Sequence, residues 1–125
     1  PCKESQDRIS AMDSTGICIF VTSAWAIDDF AAQMDAACEG EWTPERMTEA
    51  GERIWNIERL FNLKAGFTMA DDTLPSRLQN DPAPTGPRKG GLAELDQMLP
   101  EYYELRGWTK DGRPTNETLA RLGLS

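Results

Sequence analysis

Between Thr43 and Gly66, apolar residues return at alternating steps of three and four: Met47, Ala50, Ile54, Ile57 and Phe61. That spacing lays them along one face of an α-helix. Trp55 and Leu60 widen the face and Leu63 extends it. Thr43 offers a hydroxyl at the N-cap, Pro44 sits at the first helical position, and Gly66 supplies a stop. Burying side chains of this size contributes roughly 1.5–3 kcal/mol each. The pattern therefore predicts that this helix anchors the core.

The other segments are read the same way. Residues 1–12 are mostly polar, with one short helical turn through Ile9 and Met12. Asp13 to Gly16 is a turn, because Asp and Ser bond their own backbone and glycine tolerates positive φ. From Ile17 to Cys38 the chain is rich in alanine and apolar residues. The stretch ICIFV has strand composition, but the length and the later Phe30, Ala31, Met34, Ala37, Cys38 spacing favour a helix, stopped at Gly40. Residues 67–91 hold four prolines and three glycines and read as an irregular crossing, with one helical turn near Ser76 to Gln79. Helix resumes at Leu92 through Leu95, Met98, Leu99, Tyr102 and Tyr103, with Pro100 kinking it or starting a new turn, and Gly107 closes it. After a turn at Lys110–Gly112, Thr115 caps a last helix over 116–122. The expected fold is all-α, a single multihelical domain over 1–125 with four or five helices and a long Pro/Gly-rich connection.

Composition narrows the function. Thirteen basic against 21 acidic residues leave a formal charge of −8, which argues against a phosphate-backbone binder. No apolar run approaches the roughly 18 residues of a membrane span, and the opening PCKESQDR has no signal-peptide character. The first residue is Pro1 instead of Met, which suggests a processed chain or a fragment. Cys2, Cys18 and Cys38 are odd in number and widely spaced, so they make no disulfide framework, and a reducing, cytoplasmic setting is the simpler reading. With no histidine, neither a Ser-His-Asp nor a Cys-His device can be built from this chain alone.

The stretch DSTGICIF, residues 13–20, is where chemistry is most legible. A carboxylate at a turn can accept paired N–H bonds from a heterocycle. Glycine lets a ligand approach the backbone, whose N–H groups around Gly16 are expected to be free for it. A thiolate two residues later is a soft ligand suited to iron–sulfur clusters. The plainer alternative is an Asx-type turn followed by a core cysteine.

Asp13-Ser-Thr-Gly16-Ile17-Cys18-Ile19 resembles the DxxGLCx motif of the tungsten-containing aldehyde:ferredoxin oxidoreductase family. Two later segments, GERIWNIERLFNLKAGFTMADDTLPSRL (Gly51 to Leu78) and YYELRGWTKDGRPTNETLARLGL (Tyr102 to Leu124), resemble the C-terminal end of that family in order and spacing. The resemblance implies that Asp13 contacts a pterin of a tungsten (or molybdenum) bis-molybdopterin cofactor. It implies that Cys18 is the last of four thiolates on a [4Fe–4S] cluster, beside the same pterin. Gly16 and Ile17 carry over as turn and packing positions, Ile17 in place of the usual Leu. The full-length protein would oxidise aldehydes to carboxylic acids and pass electrons to ferredoxin.

The departures from that pattern are large. The family's CxxCxxxC set, its other DxxG motif, the Glu and His near tungsten and the N-terminal cofactor-binding domains are missing from this stretch. One thiolate cannot hold a [4Fe–4S] cluster, so the chain reads as a fragment of a longer enzyme, inactive and without cofactor by itself. The rival reading is a stand-alone helical protein-binding or assembly domain that has lost the cofactor site. The remaining features have structural readings. Arg53, Glu58 and Arg59 form a solvated or salt-bridged face, and the four tryptophans are core or domain-contact residues. Asp71 and Asp72 belong to a turn or helix start, Arg88-Lys89 to a loop tip, and Tyr102-Tyr103 to helix packing near an interface.

Overall fold

A computed structural model describes the whole chain, Pro1–Ser125. It is all-α: α1 (Cys2–Asp13), α2 (Ile27–Ala37), α3 (Pro44–Lys64), α4 (Ser76–Asn80), α5 (Leu95–Arg106) and α6 (Asn116–Arg121), with 3-10 turns at Ile19–Ser23 and Met69–Asp71. A lone antiparallel bridge between Trp108 and Pro114 closes the turn between α5 and α6. The fold class agrees with the pattern reading, with six helices in place of four or five.

The long helix begins where its cap predicts, with the Thr43 hydroxyl accepting the Arg46 N–H at 3.2 Å. Its buried face is not the apolar one. Met47 is buried, but Ile57 is 50% and Phe61 70% exposed. Gly51, Glu52, Asn56 and Arg59 turn inward instead. The cause is α1, which is a complete twelve-residue helix and not a single turn. It crosses α3 at Gly51, where an added Cβ would lie 1.8 Å from the Asp7 carbonyl oxygen. Only a glycine admits that approach.

Charges fasten this seam. Asp7 is fully buried and accepts from Lys3 at 2.8 Å and from the fully buried Arg106 of α5. Arg106 also donates to Gln6 Oε1 at 2.7 Å and to the Tyr102 hydroxyl at 2.9 Å, and its guanidinium lies over the rings of Trp55 and Tyr102. Glu52 accepts from Arg121 at 2.9 and 3.0 Å. Buried charges persist only when paired in this way.

The apolar core lies at the other end of α1. Ala11 and Met12 meet Phe30 and Ala31 of α2 and Met47 of α3, with Ile17, Val21, Ile27, Met34 and Trp42 packed around them. The single helix expected over Ile17–Cys38 is broken here. The Thr22 and Ser23 hydroxyls donate to the Ile19 and Phe20 carbonyls at 2.7 and 2.8 Å, and such back-bonding competes with a regular helix. α2 starts only at Ile27, where the Asp29 carboxylate accepts the Ala26 N–H at 2.8 Å. α5 begins at Leu95, later than the expected Leu92, and carries Pro100 within it.

Candidate functional site

α1 ends in a polar bend. The Ser14 hydroxyl donates to the Ser10 carbonyl at 2.8 Å and the Thr15 hydroxyl to the Met12 carbonyl at 2.7 Å. Gly16 has φ +77, the left-handed region that a glycine enters without cost. The N–H groups expected to be free are engaged: Gly16 donates to the Asp13 carbonyl at 3.2 Å and Ile17 to Thr15 Oγ1 at 3.3 Å. From Ser14 to Ile17 the bend therefore offers a ligand no free N–H. Asp13 is exposed, and none of these bonds ends on its carboxylate.

Beyond Gly16 the chain runs over the core with its two ends held down. Ile17 and Val21 pack against the apolar cluster, while Cys18, Ile19 and Phe20 between them face outward. Cys18 is extended, with φ −59 and ψ 133, and its carbonyl accepts the Val21 N–H at 2.9 Å. The reading of Cys18 as a small core residue is excluded by its exposure. Trp25 follows, its backbone N–H donating to the Val21 carbonyl at 2.9 Å and its ring meeting Phe30 edge-on at 5.7 Å. The bend is thus a firm platform that presents one carboxylate and one thiol. A soft thiolate donor suits iron. No group of three or more potential metal ligands exists in the chain, so Cys18 can contribute one ligand and not a complete set. Cys2 and Cys38 are also free and exposed.

A second polar cluster stood only partly in view in the sequence. Arg59 was expected on a solvated or salt-bridged face and Asp72 in a turn, but they meet. Arg59 donates to both Asp72 carboxylate oxygens at 2.7 and 2.6 Å and to the Gly112 carbonyl at 2.7 Å, and Tyr103 donates to Asp72. Burial alone would raise the Asp72 carboxyl, but bonds from Arg59 and Tyr103 and the charge of Arg59 outweigh it and hold the carboxyl below its usual value. Burial, then the bond to and charge of Asp72, push Tyr103 up to about 12. This cluster floors a groove of about 620 Å³, lined on its apolar side by Trp55, Leu74, Leu95, Met98 and Leu99. The groove takes the first turn of α1 as one wall, so it lies at the opposite end of that helix from Asp13. The Asp13–Cys18 bend and the groove are separate places.

Comparison with known proteins supplies the context for the bend. A family model described as aldehyde ferredoxin oxidoreductase, domains 2 & 3, matches residues 2–124. A tungsten-containing aldehyde ferredoxin oxidoreductase of Pyrococcus furiosus is 49% identical over 121 residues, covering 96% of this chain and 20% of that protein. The protein of the same description from Thermococcus kodakarensis is 46% identical over 121 residues, again covering 96% and 20%. An aliphatic sulfonate oxidoreductase, WOR-like subunit, of Pyrococcus furiosus is 31% identical over 121 residues, covering 90% of this chain and 19% of that protein. Among solved structures, the active site complex BamBC of benzoyl coenzyme A reductase with 1,5-dienoyl-CoA superposes with a TM-score of 0.77 at 26% identity, covering 98% of this chain and 19% of that one. The chain spans about a fifth of the length of the curated relatives it matches. With the family model matching nearly its whole length, this chain belongs to the aldehyde ferredoxin oxidoreductase family, over the region described as domains 2 and 3.

Proposed function

We propose that this chain is the C-terminal helical part of a tungstopterin iron–sulfur oxidoreductase that oxidises aldehydes to carboxylic acids with ferredoxin as electron acceptor. The observation that carries the reading is the outward thiol of Cys18, held on a firm platform just after the Gly16 bend, in a chain of this family. The cofactors, when bound, supply the two-electron oxidation and the one-electron steps to ferredoxin. The chain's own residues bind and orient. Asp13, whose carboxylate takes part in none of the bend's own bonds, would hold the pterin by accepting its N–H groups. Gly16 supplies the left-handed residue that turns the chain from the carboxylate towards the thiol. Ile17, seated on the core, keeps Cys18 from turning inward. Cys18 gives one thiolate to the cluster, and the other three come from outside these 125 residues.

The test is Cys18→Ala in the full-length enzyme, purified without oxygen. Iron per protein and the visible cluster absorbance should fall, and ferredoxin reduction with them. Unchanged iron and unchanged ferredoxin reduction would overturn the assignment. Asp13→Ala in the same enzyme should lower pterin content while leaving the helical content intact.

A further inference from the structure

The groove floored by Arg59, Asp72 and Tyr103 has an apolar wall that the 125 residues leave open. Along α5, Leu95, Met98, Leu99, Tyr102 and Leu105 recur at helical steps, and all of them line it. A stripe of that period ordinarily packs against a neighbour, yet Met98 is 54% and Leu105 63% exposed. The groove also carries charge without a partner. Lys3 pairs with Asp7 and Glu52, Arg59 pairs with Asp72, and Asp71 accepts the Thr68 N–H at 2.7 Å. The exposed Glu58 and Glu101, which line the groove as well, enter none of the chain's ion pairs. An occupant that fits has apolar side chains and a basic one.

Pro1 and Cys2 belong to the same wall, and Pro1 is the N-cap of α1. The residue before a proline is pushed out of the helical region into extended backbone. A chain arriving at Pro1 therefore does not prolong α1 but comes in extended beside the groove. We propose that the groove seats the residues immediately before Pro1 in the full-length enzyme, with their apolar side chains on the α5 stripe and a lysine or arginine paired with Glu58 or Glu101. This rests on the reading of the chain as the C-terminal part of a longer enzyme, which supplies those residues; the curated relatives have 20% of their length in this region. A tethered segment docks at an effective concentration of about millimolar. A second copy of this chain lacks that advantage and brings a formal charge of −8 towards an acidic groove.

The experiment uses the full-length holoenzyme. The photoreactive p-benzoylphenylalanine replaces Met98 and, in a second variant, Leu105, and mass spectrometry after irradiation identifies what each has joined. Both should attach to the roughly ten residues before Pro1, a stretch of about 33 Å when extended. Attachment to a distant part of the polypeptide or to a second copy, or no attachment from either position, overturns the proposal. A double variant, Glu58→Gln with Glu101→Gln, tests the charges without a bulky probe. Limited proteolysis should cut the segment before Pro1 roughly two- to fivefold faster than in the parent, as the loss of exposed charge pairing predicts. An unchanged rate overturns the proposal as well. Neither result bears on Cys18: the reading of the chain as part of an iron–sulfur enzyme falls by a different measurement, retained iron in Cys18→Ala.

Discussion

Asp7→Asn removes one charge from the α1–α3–α5 seam while keeping side-chain volume and an acceptor. Asp7 and Arg106 are both 0% exposed, so no solvent screens the guanidinium left behind. Arg106 keeps Gln6 and Tyr102 as acceptors and the two ring faces, but no counter-charge. Breaking a buried pair from one side costs about 3–5 kcal/mol, chiefly for the uncompensated charge. Domains of this size have roughly 5–15 kcal/mol in total, so the variant is close to unfolding. Urea denaturation of the 125-residue chain, followed by far-ultraviolet circular dichroism, measures this. With m near about 2 kcal/mol/M the midpoint falls by roughly 2 M. The partner experiment is Asp7→Leu with Arg106→Met. Replacing both charges by hydrocarbon is often neutral or stabilising, so the double variant should recover most of the loss. A single variant within about 1 kcal/mol of the parent, or a double variant as weak as the single, would refute the reasoning. As a control, Arg121→Ala removes the exposed end of a bridge whose arginine side chain is 54% exposed, and should cost no more than about 1 kcal/mol.

Gly51→Ala should lower the urea midpoint sharply, because the new methyl lies on the Asp7 backbone and the two helices must part; a midpoint equal to the parent's would show that the crossing is looser than described. At acid pH, the Asp72 carboxyl, depressed in the fold, gives stability that is present above the unfolded value of about 3.9 and lost as pH falls through the lower folded value. Asp72→Asn should flatten that acid limb of a stability-against-pH curve. At alkaline pH the sign reverses: Tyr103, raised to about 12, gives stability that is complete below the unfolded value of about 10 and lost between there and about 12. Tyr102 is raised as well, by burial first, so both tyrosinate steps in the native chain's near-ultraviolet absorbance should lie above the step of about pH 10 shown by the urea-unfolded chain.

What was legible follows from which signals are local. The ends of α3 were set by Thr43, Pro44 and Gly66, and a cap is read from three adjacent residues. The buried side of α3 was not, because apolar periodicity gives no weight to a glycine that admits a neighbouring backbone or to charges that find partners across the chain. Met47 lies where the two accounts overlap. α1 looked too polar to be a full helix, yet Lys3, Gln6 and Asp7 are spent on contacts to α3 and α5, some of them nearly a hundred positions away. The bend after α1 was placed correctly from Asp13 to Gly16, since turn chemistry is also local. That Cys18 faces out depends on Ile17 and Val21 packing against the apolar cluster shared by α1, α2 and α3, which no short motif states. Phe20 carried no signal at all: in sequence it is one more apolar residue of ICIFV.

The joint between α1 and α3 has a thermal consequence. Opening hydrocarbon to water raises heat capacity, whereas opening polar groups lowers it. A molecule whose longest helix turns Glu52, Asn56 and Arg59 inward and leaves Ile57 and Phe61 outside hydrates comparatively little new hydrocarbon as it melts. Its curve of stability against temperature should accordingly be shallow, losing strength slowly on both cooling and warming.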